Sequence, residues 1–269
     1  MLGWLRRISA PSTREQLVKD EGNPASAEAQ IHRLIDRLAT ENKEDNELVA
    51  EWTQMRVIVV ASQKGGVGKT TIAAHLAVRA GIEGYGPVVL VDTDPQGSLT
   101  EWWQARKDEQ SLGDAPALAT VKLDDLASKL VELRRTGAAI AIIDTPPALT
   151  TSIERVIETA DLVLVPARPS PHDLRAIGAT VGLTRKAGKP FLFIVNGAAP
   201  RASITAEAVA ALSEHGRVAP TILYQRTDFA ASMIDGRTVM ETVPTGRSTQ
   251  EIGDLWKHVY AQITMQVAA

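Results

Sequence analysis

Gln63-Lys64-Gly65-Gly66-Val67-Gly68-Lys69-Thr70-Thr71 is the stretch that decides the fold. The run Val57 to Ala61 before it is apolar without alternation, the pattern of a strand buried on both faces. An Ala-rich helix ending near Gly81 follows it. A glycine loop between a buried strand and a helix turns its backbone N–H groups inward, where they cradle phosphate oxygens beside the positive helix end. In that arrangement Lys69 reaches the β- and γ-phosphates, the Thr70 hydroxyl ligates Mg²⁺ and Thr71 sits near the α-phosphate.

Outward from this loop the chain repeats strand and helix. Further buried strands read at Val88–Val91, Ile140–Ile143, Leu162–Val165 and Phe191–Val195, with a last one at Thr221–Tyr224. Helices read at Leu123–Arg135, Leu174–Lys186 and Ala206–Glu214. Such alternation predicts an α/β fold, a mainly parallel twisted sheet flanked by helices, with ligands at the carboxyl ends of the strands. Residues 1–55 differ: Pro11 and Gly22-Asn23-Pro24 break them up, and Ser26 to about Leu48 suits one amphipathic helix. We therefore expect a short, partly helical and flexible N-terminal extension, 1–55, and a phosphate-loop domain, 56–269.

Acids mark two of the strand ends. Asp92 and Asp94 in Val91-Asp92-Thr93-Asp94-Pro95-Gln96-Gly97 point to one side, as residues two apart on a strand do. Beside a triphosphate they order a metal shell and an attacking water; the plain alternative is a pair of strand-end caps. Asp144, in Ile142-Ile143-Asp144-Thr145-Pro146-Pro147, is placed to contact Mg²⁺ through water. Asn196 closes the strand Phe191–Val195, where its amide can donate to and accept from an adenine edge or serve the turn before Gly197.

The loop departs from the common phosphate-loop pattern, which has glycine where Gln63 stands, and carries the extra Lys64. In this it resembles the deviant Walker A motif of the ParA/MinD family of P-loop ATPases. The Asp92–Trp103 segment, Arg168-Pro169-Ser170-Pro171 and Ile234–Met240 look closer to ParA partition proteins, and the proline-rich stretch Val165–Pro171 resembles the ParF-like subgroup. The resemblance covers about residues 56–262. It implies a P-loop NTPase fold, ATP and Mg²⁺ as cofactors, and slow, partner-stimulated ATP hydrolysis. It implies a catalytic set of Lys64, Lys69 and Asp94, with Lys64 reaching the nucleotide of the opposite subunit in an ATP-sandwich homodimer. Gly65, Gly66, Val67, Gly68, Lys69, Thr70, Thr71 and Asn196 would hold the nucleotide, and Thr70, Asp92 and Asp144 the metal. It further implies non-specific DNA binding, a ParB-like cargo adaptor that stimulates hydrolysis, and a cytoplasmic, nucleoid-associated protein. Near Val165–Pro171, nucleotide and dimer contacts are expected.

Composition narrows the alternatives. The absence of cysteine excludes disulfides, thiolate metal sites and the cluster-bearing relatives of this scaffold. No apolar run reaches the length of a membrane span. The net charge is −3, but residues 165–269 carry 11 Lys and Arg against 8 Asp and Glu. A basic face in this last third is where DNA contacts are expected, with Arg185, Lys186, Lys189, Arg201, Arg226, Arg237 and Arg247 as candidates. A MinD-like, membrane-associated reading needs an anchor. The C-terminal stretch Ile252–Ile263 reads as a core-packed helix instead, leaving only Trp4 and Leu5 beside Arg6 and Arg7. An ATPase that positions a protein cargo would share the same core.

Overall fold

The computed structural model describes residues 55–109, 112, 115–147 and 151–265. The expected N-terminal extension, with its helix over Ser26–Leu48 and the anchor around Trp4, lies outside the described residues. Seven strands form one sheet: β1 (Arg56–Val60), β2 (Val88–Asp92), β3 (Ala117–Thr120), β4 (Ile140–Asp144), β5 (Leu162–Ala167), β6 (Phe191–Ala198) and β7 (Leu223–Tyr224). Their order is β3-β2-β4-β1-β5-β6-β7, and every pairing is parallel. The strand β3 was not among those read from the sequence; the other six were.

The helices are α1 (Lys69–Ile82), α2 (Ser98–Asp108), α3 (Leu126–Arg135), α4 (Thr151–Glu158), α5 (Pro171–Lys186), α6 (Ser203–Ser213), α7 (Thr227–Ser232), α8 (Val239–Thr242) and α9 (Arg247–Met265). The period-two geometry of β1 sends Ile58 and Val60 into one core and Val57 and Val59 into the other. The first core packs under α1 and α9, whose Ile252, Leu255, Trp256, Val259 and Ile263 are buried. The second packs under α3 to α6 through residues such as Leu130, Ile153, Val181 and Leu212. Ile252–Ile263 is thus a core helix, as its sequence implies.

Two local devices aim the chain at the sheet's carboxyl edge. Helix α5 starts at Ser170, whose hydroxyl accepts from the Asp173 N–H, with Pro171 in the first turn. Helix α8 starts with a capping box in which Thr238 and Glu241 satisfy each other's backbone. By contrast, α1 starts at Gly68 with no side-chain cap, so its first N–H groups remain available to a ligand.

Candidate functional site

The ends of β1, β2, β4, β5 and β6 meet along one edge. The register pairs Asp144 with both Val60 and Asp92, and Ala167 with Val195. The loop after β1, Asp92 and Asp94, Asp144, Arg168 and Asn196 are therefore neighbours, although the chain separates them widely. The loop, Asp94, Arg168 and Asn196 border two adjoining cavities. One, of about 720 Å³, is lined by Gly65, Gly66, Lys69, Thr70, Asp94 and Gln96; the other, of about 580 Å³, by Asn196, Pro200, Tyr224 and Phe229, among others.

Gly68 is fixed by geometry. Its φ is +91°, and a Cβ there would sit 2.3 Å from Asn196 Nδ2. The Asn196 amide occupies that space because Nδ2 donates to the Val67 carbonyl at 2.7 Å. Asn196 thus pins the phosphate loop and also lines the second cavity.

The Thr70 hydroxyl donates to Asp144 Oδ2 at 2.5 Å. Asp144 is buried, and its Oδ1 has no hydrogen-bond partner. Burial pushes its carboxyl up to about 7, against the opposing pull of the Thr70 hydroxyl and Lys69. Lys69 is only 7% exposed; burial lowers its pKa while Asp144 and Asp94 raise it. An orphaned carboxylate oxygen beside a hydroxyl fits a hydrated divalent cation better than a closed site. Among the described residues no cluster of three or more His, Cys, Asp or Glu could hold a metal by itself. Any ion would share Thr70 with water and ligand oxygens.

Asp92, in register beside Asp144, is held by backbone and hydroxyl donors. Its Oδ1 accepts from the Asp94 N–H at 3.0 Å, and its Oδ2 accepts from the Thr100 N–H at 2.9 Å and hydroxyl at 2.6 Å. These contacts brace the turn and the first turn of α2. Asp94 is half-buried, lines the first cavity, and accepts from the Gln96 N–H at 3.0 Å.

Lys64 pairs with Asp173, a carboxylate of α5 that is 3% exposed, while Lys64 itself remains 41% exposed. Of the seven basic candidates, Arg226 pairs with Glu251, Arg237 with Asp235 and Lys186 with Glu154, and Arg185 donates to the His215 carbonyl. Lys189, Arg201 and Arg247 have no partner among the described residues.

Two positions escaped the sequence reading. His75 is fully buried in α1; it binds the Thr71 carbonyl through Nδ1 at 2.8 Å and accepts from the Val239 N–H through Nε2 at 3.2 Å. Arg106 of α2 is 4% exposed, pairs with Glu241 and donates to the Gly236 and Ala115 carbonyls. Arg168, within the stretch Val165–Pro171 singled out from the sequence, lines both cavities. A histidine or arginine on a helix carries no local sequence signal of such a distant partner.

Comparison with known proteins agrees with this geometry. The chain is 30% identical over 203 residues to maintenance of carboxysome distribution protein A of Halothiobacillus neapolitanus, covering 72% of this chain and 91% of that protein. It is 28% identical over 243 residues to the chromosome-partitioning ATPase Soj of Thermus thermophilus, covering 78% of this chain and 97% of that one. A structure of a Cyanothece McdA variant in complex with ATP superposes with a TM-score of 0.62 at 21% identity, covering 78% of this chain and 96% of that one, which shows a shared fold. The profile of the CobQ/CobB/MinD/ParA nucleotide-binding domain matches residues 58–239. That match spans the phosphate loop, both acidic turns and all seven strands but the first two residues of β1, and the chain belongs to the CobQ/CobB/MinD/ParA nucleotide-binding family, on its ParA/MinD branch.

Proposed function

We propose that this protein is an ATP-dependent partition or positioning ATPase, with residues 56–269 as the switching domain and residues 1–55 as an appendage. The observation that carries the reading is the gathering of Lys69, Thr70 and Asp94 around one cleft, with Asp144 bonded to Thr70 and the part-exposed Lys64 next to Gly65 of its lining. ATP lies across the two cavities, its phosphates on the N–H groups of α1 and its base toward Asn196 and Tyr224. When bound, Mg²⁺ neutralises phosphate charge, and Thr70 and the free oxygen of Asp144 are the groups that hold it and its water. Asp94 faces the same space and orients the attacking water. Lys64 leaves Asp173 to reach the nucleotide of a second copy, so the γ-phosphate stabilises the homodimer.

In the dimer, basic residues of the last third hold DNA through its phosphates, without sequence preference. Lys189, Arg201 and Arg247 stand first, since the other four candidates are engaged within the chain. A ParB-like adaptor then stimulates hydrolysis and releases the dimer, so that cycles of release move or space a cargo. Relatives in carboxysome distribution and in chromosome partition support both kinds of cargo. No helix among the described residues is long and apolar enough to cross a membrane.

The test is binding to a random-sequence duplex with ATP, with ADP and with no nucleotide, over a salt series. Binding with ATP alone that weakens as salt rises is the expected result. Absence of binding from protein that dimerises with ATP removes DNA from the cycle and leaves a protein or membrane platform.

A further inference from the structure

Four cations stand at or beside the two cavities, and three are already committed. Lys69 is buried beneath the loop, Lys64 is paired with Asp173, and Arg226 is paired with Glu251. The fourth, Arg168, is exposed and has no partner for its guanidinium among the described residues. It follows Ala167, the last residue of β5, which pairs with Val195, the residue before Asn196. Its stem packs on Gly197, whose added Cβ would meet Arg168 Nε at 3.7 Å and Cγ at 3.8 Å. Gly197 holds φ at +67°, which keeps the backbone bare where the arginine crosses it.

Arg168 shares an unusual position with three other residues. Gly68, Thr71, Arg168 and Ala230 line both cavities and so form the wall between them. The first cavity contains the loop, Lys69, Thr70 and Asp94, and takes terminal phosphates. The second, with Asn196, Pro200, Tyr224 and Phe229, offers an amide and apolar faces, and takes a base. Whatever joins base to terminal phosphates must cross that wall. In a nucleotide this is the sugar and the α-phosphate.

We propose that Arg168 is a nucleotide-binding residue whose guanidinium grips the α-phosphate where ATP or ADP crosses the wall between the two cavities. The inference rests on the nucleotide reading above and adds a contact to it. A planar guanidinium matches phosphate oxygens through two parallel N–H donors, which a lysine cannot reproduce. Because the α-phosphate is common to ATP and ADP, Arg168 sets affinity for both and does not discriminate between them.

The experiment is calorimetric titration of the full chain, unmodified and as Arg168→Ala and Arg168→Lys, with Mg²⁺ and either ADP or a non-hydrolysable ATP analogue. Arg168→Ala should weaken both ligands by about tenfold or more, as expected for loss of a charge-assisted contact, with Arg168→Lys intermediate. Adenosine, which lacks the phosphate, should bind all three proteins equally. Arg168 is exposed and unpaired, so the unfolding temperature of the free variants should match that of the unmodified chain. Loss confined to the ATP analogue would place the guanidinium at the γ-phosphate and overturn the proposal, as would unchanged binding of both nucleotides. Failure of the unmodified chain to bind either nucleotide would overturn the nucleotide reading itself.

Discussion

Acid should weaken this protein through His75 in a way that one substitution removes. The imidazole is fully buried between the Thr71 carbonyl and the Val239 N–H, with Phe229 edge-on at 5.3 Å. Accepting from Val239 through Nε2 requires the proton on Nδ1, where it is donated to Thr71. A second proton on Nε2 would oppose the Val239 N–H directly. Burial accordingly lowers the His75 pKa from 6.5 to about 4. In the unfolded chain the ordinary value holds, so between about pH 6.5 and pH 4 the unfolded state binds a proton that the native state does not. Stability therefore rises with pH across this window, is fully present above it, and is lost as pH falls. The loss is about 2 kcal/mol at about pH 5 and approaches about 3 kcal/mol near pH 4. Carboxylates titrate there as well, so the informative quantity is a difference between proteins. His75→Gln does not titrate and can still accept from Val239; its urea-unfolding free energy should change less than that of the unmodified chain by about 2 kcal/mol between about pH 7.5 and pH 5. His75→Ala strands a buried N–H and leaves a cavity, costing about 3–5 kcal/mol at neutral pH. Parallel pH curves for the unmodified and Gln proteins would refute the argument.

Four further outcomes follow from the site. Lys69→Ala should abolish ATP binding; retained micromolar affinity, measured by titration, would remove the loop from the site. Asp94→Ala should still dimerise with ATP by sedimentation but hydrolyse it poorly, and normal phosphate release would exclude Asp94. Asp144, raised to about 7, costs stability as pH rises from its ordinary value to that point. Asp144→Asn should therefore make the nucleotide-free protein more resistant to urea above about pH 7, by up to about 4 kcal/mol, while losing the Mg²⁺-dependent gain in melting temperature on ATP addition. Gly68→Ala must move Asn196 or distort a φ of +91°; nucleotide affinity should fall while the circular dichroism spectrum is kept.

The parts legible in the sequence were those in which chemistry sits beside its own strand. Val57 to Ala61 announces β1 by being wholly apolar, and the loop follows within two residues. Asp144 and Asn196 could be read as strand-end residues for the same reason. Strand β3, Ala-Leu-Ala-Thr at the sheet edge, is four residues long and buries none of its side chains fully, so its apolar run is too short to announce a strand. Helices α7 and α8 are six and four residues long, too short for a helical period to appear. Side-chain pairings were hidden by distance along the chain: 109 residues separate Lys64 from Asp173, 164 separate His75 from Val239, and 135 separate Arg106 from Glu241. For Asp92, the partner that holds the carboxylate is Thr100, eight residues on, which the sequence did not mark.

The stretch from Arg226 to Val239 is tethered at both ends. Arg226 is held by Glu251 of α9, and the far end is held by Trp102 Nε1 on the Arg237 carbonyl, Arg106 on the Gly236 carbonyl and His75 on the Val239 N–H. Between these anchors Ala230 and Met233 line the first cavity, and Ile234 stands 81% exposed. The far-end anchors come from α1 and α2, the two helices that begin at the phosphate loop and at the Asp94 turn. A span fastened in this way does not swing as a flap. It is a crossbar whose far post stands on those two helices, so the position of Ile234 is set jointly by α1, α2 and α9.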